Sequence, residues 1–337
     1  MGKVTIKDVA KEAGVSISTV SNALNNSELV NEDTRQKVLD AANRLNYVPN
    51  LSGKYLKSGK SYMLGFLTSS VSGEYFTTLI EAISKQCGDQ GYTLNVLISR
   101  DKSVINDQIF GRGFDGVFIF EGERIGEEEL ALLEKKHIHT VLLDRAYQSS
   151  SIGSVVFDSH YAGYTATKHL INLGHREIAF IEGAADVYDS SERKRGFMDA
   201  MAEYGLPVRE EYILQGYFEE LLTYNTVNIF SRVRTNKMPD AFVCGNDQSA
   251  IGCINALKDA GYRVPEDISV IGFDDIQVSQ YFSPSLSTFK NPINLQGVTA
   301  ARMLIDMIEN NTQGHTEQLH GELTARQSTV VRLSPRS

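Results

Sequence analysis

Two sets of polar residues in this chain have the types and spacing for recognition chemistry. The first is the run Ile17-Ser18-Thr19-Val20-Ser21-Asn22. An amide such as Asn22 reads adenine with two hydrogen bonds, while Ile17 presses on a thymine methyl or a sugar. The second set closes short apolar runs. Ser69-Ser70 follow YMLGFLT, Asp144 follows TVLL, Asp158 follows SVVF, Asn246-Asp247 follow FVCG, and Asp274-Asp275 follow VIGF. Carboxylates and amides accept from ligand hydroxyls, and strand ends are where open α/β sheets hold ligands. Any one such Asp serves equally well as a helix cap, and Asp247 and Asp275 read as structural. Bond-breaking chemistry has no comparable signature. No Gly-x-Gly-x-x-Gly follows a strand, and there is no phosphate loop, nucleophile elbow or identifiable acid–base pair. His137-x-His139 lacks a third ligand within sequence reach. Neither a metal nor a cofactor is expected, nor is enzymatic activity.

The first set needs a scaffold, and the flanking pattern supplies one. Ile6, Val9, Ala10 and Ala13 recur at i, i+3, i+4 and i+7, one apolar face of a helix. Thr5 precedes that run as an N-cap, with Asp8 three residues on. Gly14 permits a tight turn, and Ser16 caps a second run whose inner face is Val20, Ala23 and Leu24. Ile17, Ser18, Ser21 and Asn22 are left outward. Two helices joined through a short Gly-containing turn predict a helix-turn-helix, the second helix entering the DNA major groove. A third helix is expected over Glu32–Leu45, with Val38, Leu39, Ala42 and Leu45 on one face. Tyr47-Val48-Pro49-Asn50 ends it.

Residue by residue, TIKDVAKEAGVSISTVSNALN and VNEDTRQKVLDAANRLNYVPN resemble the headpiece of the lactose/galactose repressor (LacI–GalR) family, and the likeness continues through nearly the whole chain. It implies an operator-binding headpiece over residues 1–49. Its DNA contacts would come from Thr5, Ser16, Ile17, Ser18, Thr19, Ser21, Asn22, Asn25, Tyr47 and Asn50. It also implies a hinge over residues 50–60, NLSGKYLKSGK, that forms a short helix on the operator. That length falls below the roughly 12–15 residues of a marginally stable isolated helix. Leu56 stands where the family drives a leucine into the minor groove, and Lys54 and Lys57 would meet phosphates. The pair Gly53-Lys54 departs from the family's usual Ala-Arg, and Gly inside a helix costs roughly 0.8–1.0 kcal/mol relative to Ala.

Composition agrees with this division. At 337 residues, with 42% hydrophobic and 22% charged, the chain predicts a globular protein of two or three domains. No apolar run approaches the roughly 18 residues of a membrane span, and no signal segment opens the chain. The expected location is the cytoplasm, with Cys87, Cys244 and Cys253 as free buried thiols. The net charge of −9 divides unevenly. Residues 1–60 carry nine Lys/Arg against six Asp/Glu, which is +3 and leaves −12 for the rest. A basic head on an acidic body orients the molecule toward phosphates.

The body alternates strand and helix. Strands over 62–68, 93–98, 116–120 and 140–143 enclose a helix from Glu74 to about Gln90. A second round begins at Ser154, with strands in SVVF, IAFIEG, DAFVCG and SVIGFDD and helices over 161–173, 192–204 and 248–260. Such alternation predicts parallel sheets covered on both faces. The fold class is α/β: a three-helix headpiece and hinge, then two doubly wound subdomains of periplasmic-binding-protein type over 61–337. The family resemblance adds two crossovers, dividing that core into about 61–158 with 291–322 and about 159–290 with 323–337. It further implies an effector site between the subdomains. Arg193, in SERKRGF, fits the family's effector-contacting arginine. Phe157 and Phe218 fall where the family stacks a ring, and Tyr75 and Phe76 close the first-subdomain side. Joined by Ser69, Ser70, Asp144, Asp158, Asn246 and Asp274, these equip a sugar site. The expected partners are a pseudo-palindromic operator, a sugar effector and a second copy of the chain. The terminal ELTARQSTVVRLS leaves no tetramerisation helix, which favours a dimer. The alternatives are a purine or protein corepressor system and, from another class, a carbohydrate-acting enzyme, for which no acid–base pair is identifiable.

Overall fold

The computed structural model describes residues 4–24, 29–48, 60–111, 113–120, 125–184, 187–233 and 237–332. Asn25, Asn50, Gly53, Lys54, Leu56 and Lys57 lie outside these residues. The chain divides into two compact units, Met1–Ser61 and Tyr62–Ser337.

Among the described residues the first unit holds three helices: α1 (Ile6–Ala13), α2 (Ile17–Leu24) and α3 (Glu32–Arg44). The Asp8 carboxylate accepts from both the amide (2.8 Å) and the hydroxyl (2.7 Å) of Thr5, fixing the start of α1. Gly14 ends it at φ 67°, the left-handed conformation only glycine adopts freely. Val9, Val20, Ala23, Val38, Ala41 and Ala42 form the common core. Leu39, expected in that core, is instead 36% exposed, and Ala41 takes the inner position. The helical repeat explains it: 38, 41, 42 and 45 share a stripe, and 39 lies about 100° around the axis.

The second unit is built on two six-stranded sheets. In the first, the order is β11 (Thr316–Leu319), β5 (Ile152–Phe157), β4 (His139–Leu142), β3 (Gly116–Phe120), β1 (Met63–Thr68) and β2 (Thr93–Ile98). In the second it is β12 (Glu322–Thr324), β10 (Ser287–Lys290), β9 (Ser269–Phe273), β8 (Ala241–Cys244), β6 (Ile178–Glu182) and β7 (Ile213–Gln215). All pairs are parallel except β10 with β12. Inner strands such as MLGFLT and SVIGF are mostly apolar and buried almost throughout because both their faces are covered. Strand β5, which opens the second round of alternation in the sequence, sits in the first sheet.

The connecting helices are α4 (Glu74–Asp89), α5 (Lys102–Phe110), α6 (Glu127–Lys135), α7 (Ser159–Asn172), α8 (Tyr188–Glu203), α9 (Glu220–Arg232), α10 (Asp247–Asp259) and α11 (Ile293–Asn310). After β10 the chain returns to the first sheet through α11 and β11, then crosses back to add β12 to the second. Leu304, Met307 and Ala300 of α11 pack with Leu64, Phe66 and Phe118 of the first sheet. Cys87, Cys244 and Cys253 are free and buried. Among the described residues, no helix is long and apolar enough to cross a membrane.

Candidate functional site

In the three-helix unit, α2 presents its polar side outward. Ser16, Ile17 and Ser18 are exposed, while Thr19, Ser21 and Asn22 are half-buried. The Ser16 hydroxyl accepts from the amide of Thr19 (3.1 Å) and also meets the Ser18 and Thr19 hydroxyls at 2.7 and 2.8 Å. It therefore both caps the helix and belongs to its exposed edge. Thr5 is exposed at the start of α1, and Tyr47 packs partly against the core.

The second unit contains a cavity of about 290 Å³ lined from both sheets. On the first-sheet side, β1 ends at Thr68, whose hydroxyl donates to the carbonyl of Ser70 (2.8 Å). This turn leads through Ser72 into α4, and the first turn of α4 brings Tyr75 and Phe76 to the cavity. Phe120, at the end of β3, completes an aromatic cluster. Phe76 and Phe120 stand 5.0 Å apart edge to face, and Tyr75 lies 5.4 Å from Phe76. Tyr75 donates its hydroxyl to Gln296 of α11 (2.9 Å), which itself donates to the carbonyls of Leu143 and Val155. Burial, reinforced by Asp189 and Asp274, pushes the Tyr75 phenol well above its usual range.

The second-sheet side is polar. Helix α8 starts at Tyr188, four residues before the start expected from the sequence, so Asp189 and Arg193 stand at i and i+4 on one face. The Arg193 guanidinium is 3% exposed and donates to the carbonyl of Gly245 (2.5 Å) and to Asp274 (3.2 Å). It sits 4.8 Å from the Phe273 ring and 6.0 Å from Phe218. Its Nε is buried without a hydrogen-bond partner. Asp189 accepts from the Ser159 hydroxyl (2.6 Å), and burial pushes its carboxyl up against the pull of Arg193. Asn246 caps α10 by accepting from Ser249 (2.9 Å) and donates to the carbonyl of Phe218 (3.1 Å). At the rim, Glu74 of the first side accepts from the amide of Gln277 on the second (2.7 Å). Among the described residues the lining is carboxylate-rich: Glu74, Asp189, Glu219 and Asp274 line the cavity, with Arg193 the one lining cation.

Comparison with known proteins places both units. Residues 5–50 match the profile of bacterial regulatory proteins of the lacI family, and residues 167–329 that of a periplasmic binding protein-like domain. The chain is 35% identical over 331 residues to the HTH-type transcriptional repressor PurR of Actinobacillus pleuropneumoniae, covering 96% of this chain and 98% of that protein. It belongs to the lacI family. Like its relatives, this lacI-family chain is a DNA-binding transcriptional repressor. A second relative, the probable HTH-type transcriptional repressor ExuR of Bacillus subtilis, is 35% identical over 309 residues, covering 90% and 92%. Among solved structures, a lac repressor dimer bound to operator and the anti-inducer ONPF aligns at TM-score 0.83 and 25% identity, over 98% of this chain and all of that one. A CelR–cellobiose complex aligns at 0.73 and 25%, over 97% and 100%.

Of the residues that the lacI-family resemblance assigned to the effector, the cavity brings together Ser69, Ser70, Tyr75, Phe76, Arg193, Phe218, Asn246 and Asp274. Three fall outside its lining. Asp158 caps α7 by accepting from the amide of Tyr161 (3.0 Å) and pairs with His320 (3.3 Å). Phe157 is 2% exposed, packed against Phe289 behind Arg193. Asp144 is 2% exposed and paired with Arg145 (3.4 Å). Asp247 and Asp275 are structural: Asp247 accepts from Ile276, Ser279 and Thr288, and Asp275 from Arg326. Sequence reasoning missed Asp189, Phe120, Glu74, Glu219 and Gln248. Of these, only Asp189 left a usable signal, its i, i+4 spacing from Arg193. Among the described residues, no cluster of three or more His, Cys, Asp or Glu stands ready to hold a metal.

Proposed function

We propose that this lacI-family repressor controls carbohydrate-utilisation genes and that a small neutral sugar in the core cavity sets its operator affinity. The acceptor surplus of the cavity carries the reading. Four carboxylates line it, while the terminal nitrogens of Arg193 already donate to protein. A ligand bound there satisfies the site by donating, and every sugar hydroxyl is a donor. A sugar acid or phosphate would bring its charge against those carboxylates. The solved relative that holds cellobiose supports the same class. In this reading the protein acts in the cytoplasm as a homodimer on a pseudo-palindromic operator, because two-fold protein symmetry matches two-fold DNA. Ligand shifts a population between two core states of different operator affinity, transmitted through a hinge that includes Gly53, Lys54, Leu56 and Lys57. Base reading falls to Ile17, Ser18 and Asn22.

The second reading is a purine corepressor, with protein corepression its further variant. The relatives named PurR and the aromatic faces of Tyr75 and Phe218 favour it. Against it, among the described residues of the lining the ring acceptors of a purine base find only the Arg193 Nε as a buried donor without a partner. A thermal-shift panel of D-ribose, D-glucose and D-galactose, their phosphates and acids, hypoxanthine and guanine separates the two. A ligand at a hundredfold its Kd adds about 2.7 kcal/mol, or roughly 5–10 °C. A shift with purines alone would overturn the sugar reading, and operator titration with the hit decides between induction and corepression.

A further inference from the structure

Phe218 owes its place in the cavity wall to a residue that does not line it. A methyl group at Gly183 would lie 2.1, 2.2 and 2.5 Å from three atoms of the Phe218 ring. One at Gly245 would lie 3.1 Å from the same ring. Neither glycine has a positive φ, so backbone conformation does not demand glycine at either position. Close approach does. The ring rests directly on the backbone of Gly183, and it is the ring, not Gly183, that lines the cavity. Its own loop is held in place independently. Tyr217 and Phe218 both adopt left-handed φ values (57° and 64°). Gly216 and Tyr217 donate to the carbonyl of Glu182, and Asn246 holds the carbonyl of Phe218. The loop backbone is thus pinned at its ends, and the floor under the ring sets how far the ring projects.

We propose that Gly183 is the positioning residue of the effector site: its missing side chain seats the Phe218 ring low enough to leave room for a ligand ring above it. This rests on the reading of the cavity as the effector site. Any side chain at 183 must lift the ring from 2.1 Å to a van der Waals separation of about 3.5–4.0 Å, straight into the space a ligand would occupy. The atoms in the way are the far end of a side chain, so the ring moves and the fold survives. At Gly245 the nearest atom is instead the carbonyl oxygen of Ile181, at 3.0 Å. There a methyl strains the sheet and moves the ring little.

The chain has no tryptophan, so Phe218→Trp creates a single indole reporter at the site. Adding Gly183→Ala to that variant should shift its emission to the red and raise acrylamide quenching at least twofold, with no ligand present. Unchanged emission and quenching would overturn the proposal. In full-length protein, Gly183→Ala should weaken binding of the responding sugar among D-ribose, D-glucose and D-galactose at least tenfold. In a Phe218→Leu background the same change should cost less than threefold, because the ring it acts through is gone. Additive losses would mean that Gly183 acts elsewhere, and the proposal would fall. If Gly183→Ala alone does not fold, restored folding in the double variant supports the proposal, and failure of both overturns it. If none of the three sugars binds wild-type protein, the sugar reading fails while the indole measurement still decides the role of Gly183.

Discussion

The two walls of the core cavity are built on different principles. The first-sheet wall is aromatic and relaxed: Tyr75, Phe76 and Phe120 pack edge to face, two of them from the opening turn of a helix. Its serines bond mainly to their own turn. The second-sheet wall is charged and strained. Tyr217, Phe218 and Asp274 all hold positive φ, at about 1–3 kcal/mol each, and a guanidinium is buried between Asp274 and the carbonyl of Gly245. Strain of that kind persists only where surrounding bonds over-determine it. In the proposed reading the two walls divide the work: the second is a fixed template that selects, and the first is an adaptable face against which the ligand packs.

The largest test of that division is Arg193→Ala. Removing the guanidinium leaves the buried Asp274 carboxylate unpaired, at a cost of about 3–5 kcal/mol, and the effector response goes with it. Urea denaturation with and without ligand measures both, and a loss below about 1 kcal/mol would show that the second wall is no rigid template. Tyr75→Phe is the strongest lesion available on the first wall, since it strips Gln296 of a buried donor. The expected cost is about 1–3 kcal/mol, with ligand affinity changed less than by the arginine variant. The reverse order of effects on affinity would invert the assignment.

Asp189 gives a smaller, pH-dependent signal. Burial raises its carboxyl above the usual 3.8, so a proton returns to it as pH falls toward that raised value. Protonation removes an acceptor, so effector affinity should weaken severalfold as pH falls from neutrality to that raised value. The sign for stability is opposite: the folded state holds the proton more tightly, so this group stabilises the fold most at low pH, and that contribution fades as pH rises through the raised value. Isothermal titration of Asp189→Asn should show a flat profile, and a wild-type slope in that variant would clear Asp189 of the role. Smallest of all is Ser70→Ala, on an exposed turn of the first wall, expected to change stability by no more than about 0.5 kcal/mol. A larger loss would mean that the first wall is as tightly specified as the second.

Legibility in the sequence followed the same line. The first wall was readable because Ser69, Ser70, Tyr75 and Phe76 follow one strand end in unbroken order. On the second wall, Asp189 went unread because nothing in DVYDSSERK marks a helix beginning at Tyr188, so its alignment with Arg193 stayed hidden. Asp144, Asp158 and Phe157, which the sequence groups with the site, lie outside the cavity lining for the converse reason. A strand-end position looks the same whether its side chain faces the cleft, caps the next helix or turns into the core. The three-helix unit was nearly transparent, Leu39 excepted, because its caps and 3.6-residue stripe are local. The return of α11 and β11 to the first sheet is not local, and only family resemblance anticipated it.

That return has a consequence for synthesis on the ribosome. All three helices of the DNA-reading unit are complete by residue 44, whereas each sheet receives an edge strand, β11 or β12, only after residue 315. At ~10 residues per second the interval is on the order of half a minute. A message cut late in that interval, after Lys290, yields a chain that carries all three of those helices but two sheets that each lack an edge strand, prone to pair with other chains. The unit that reads DNA is finished first and the core that would regulate it last, so in the proposed reading prematurely terminated chains carry a DNA-reading unit that no effector can address.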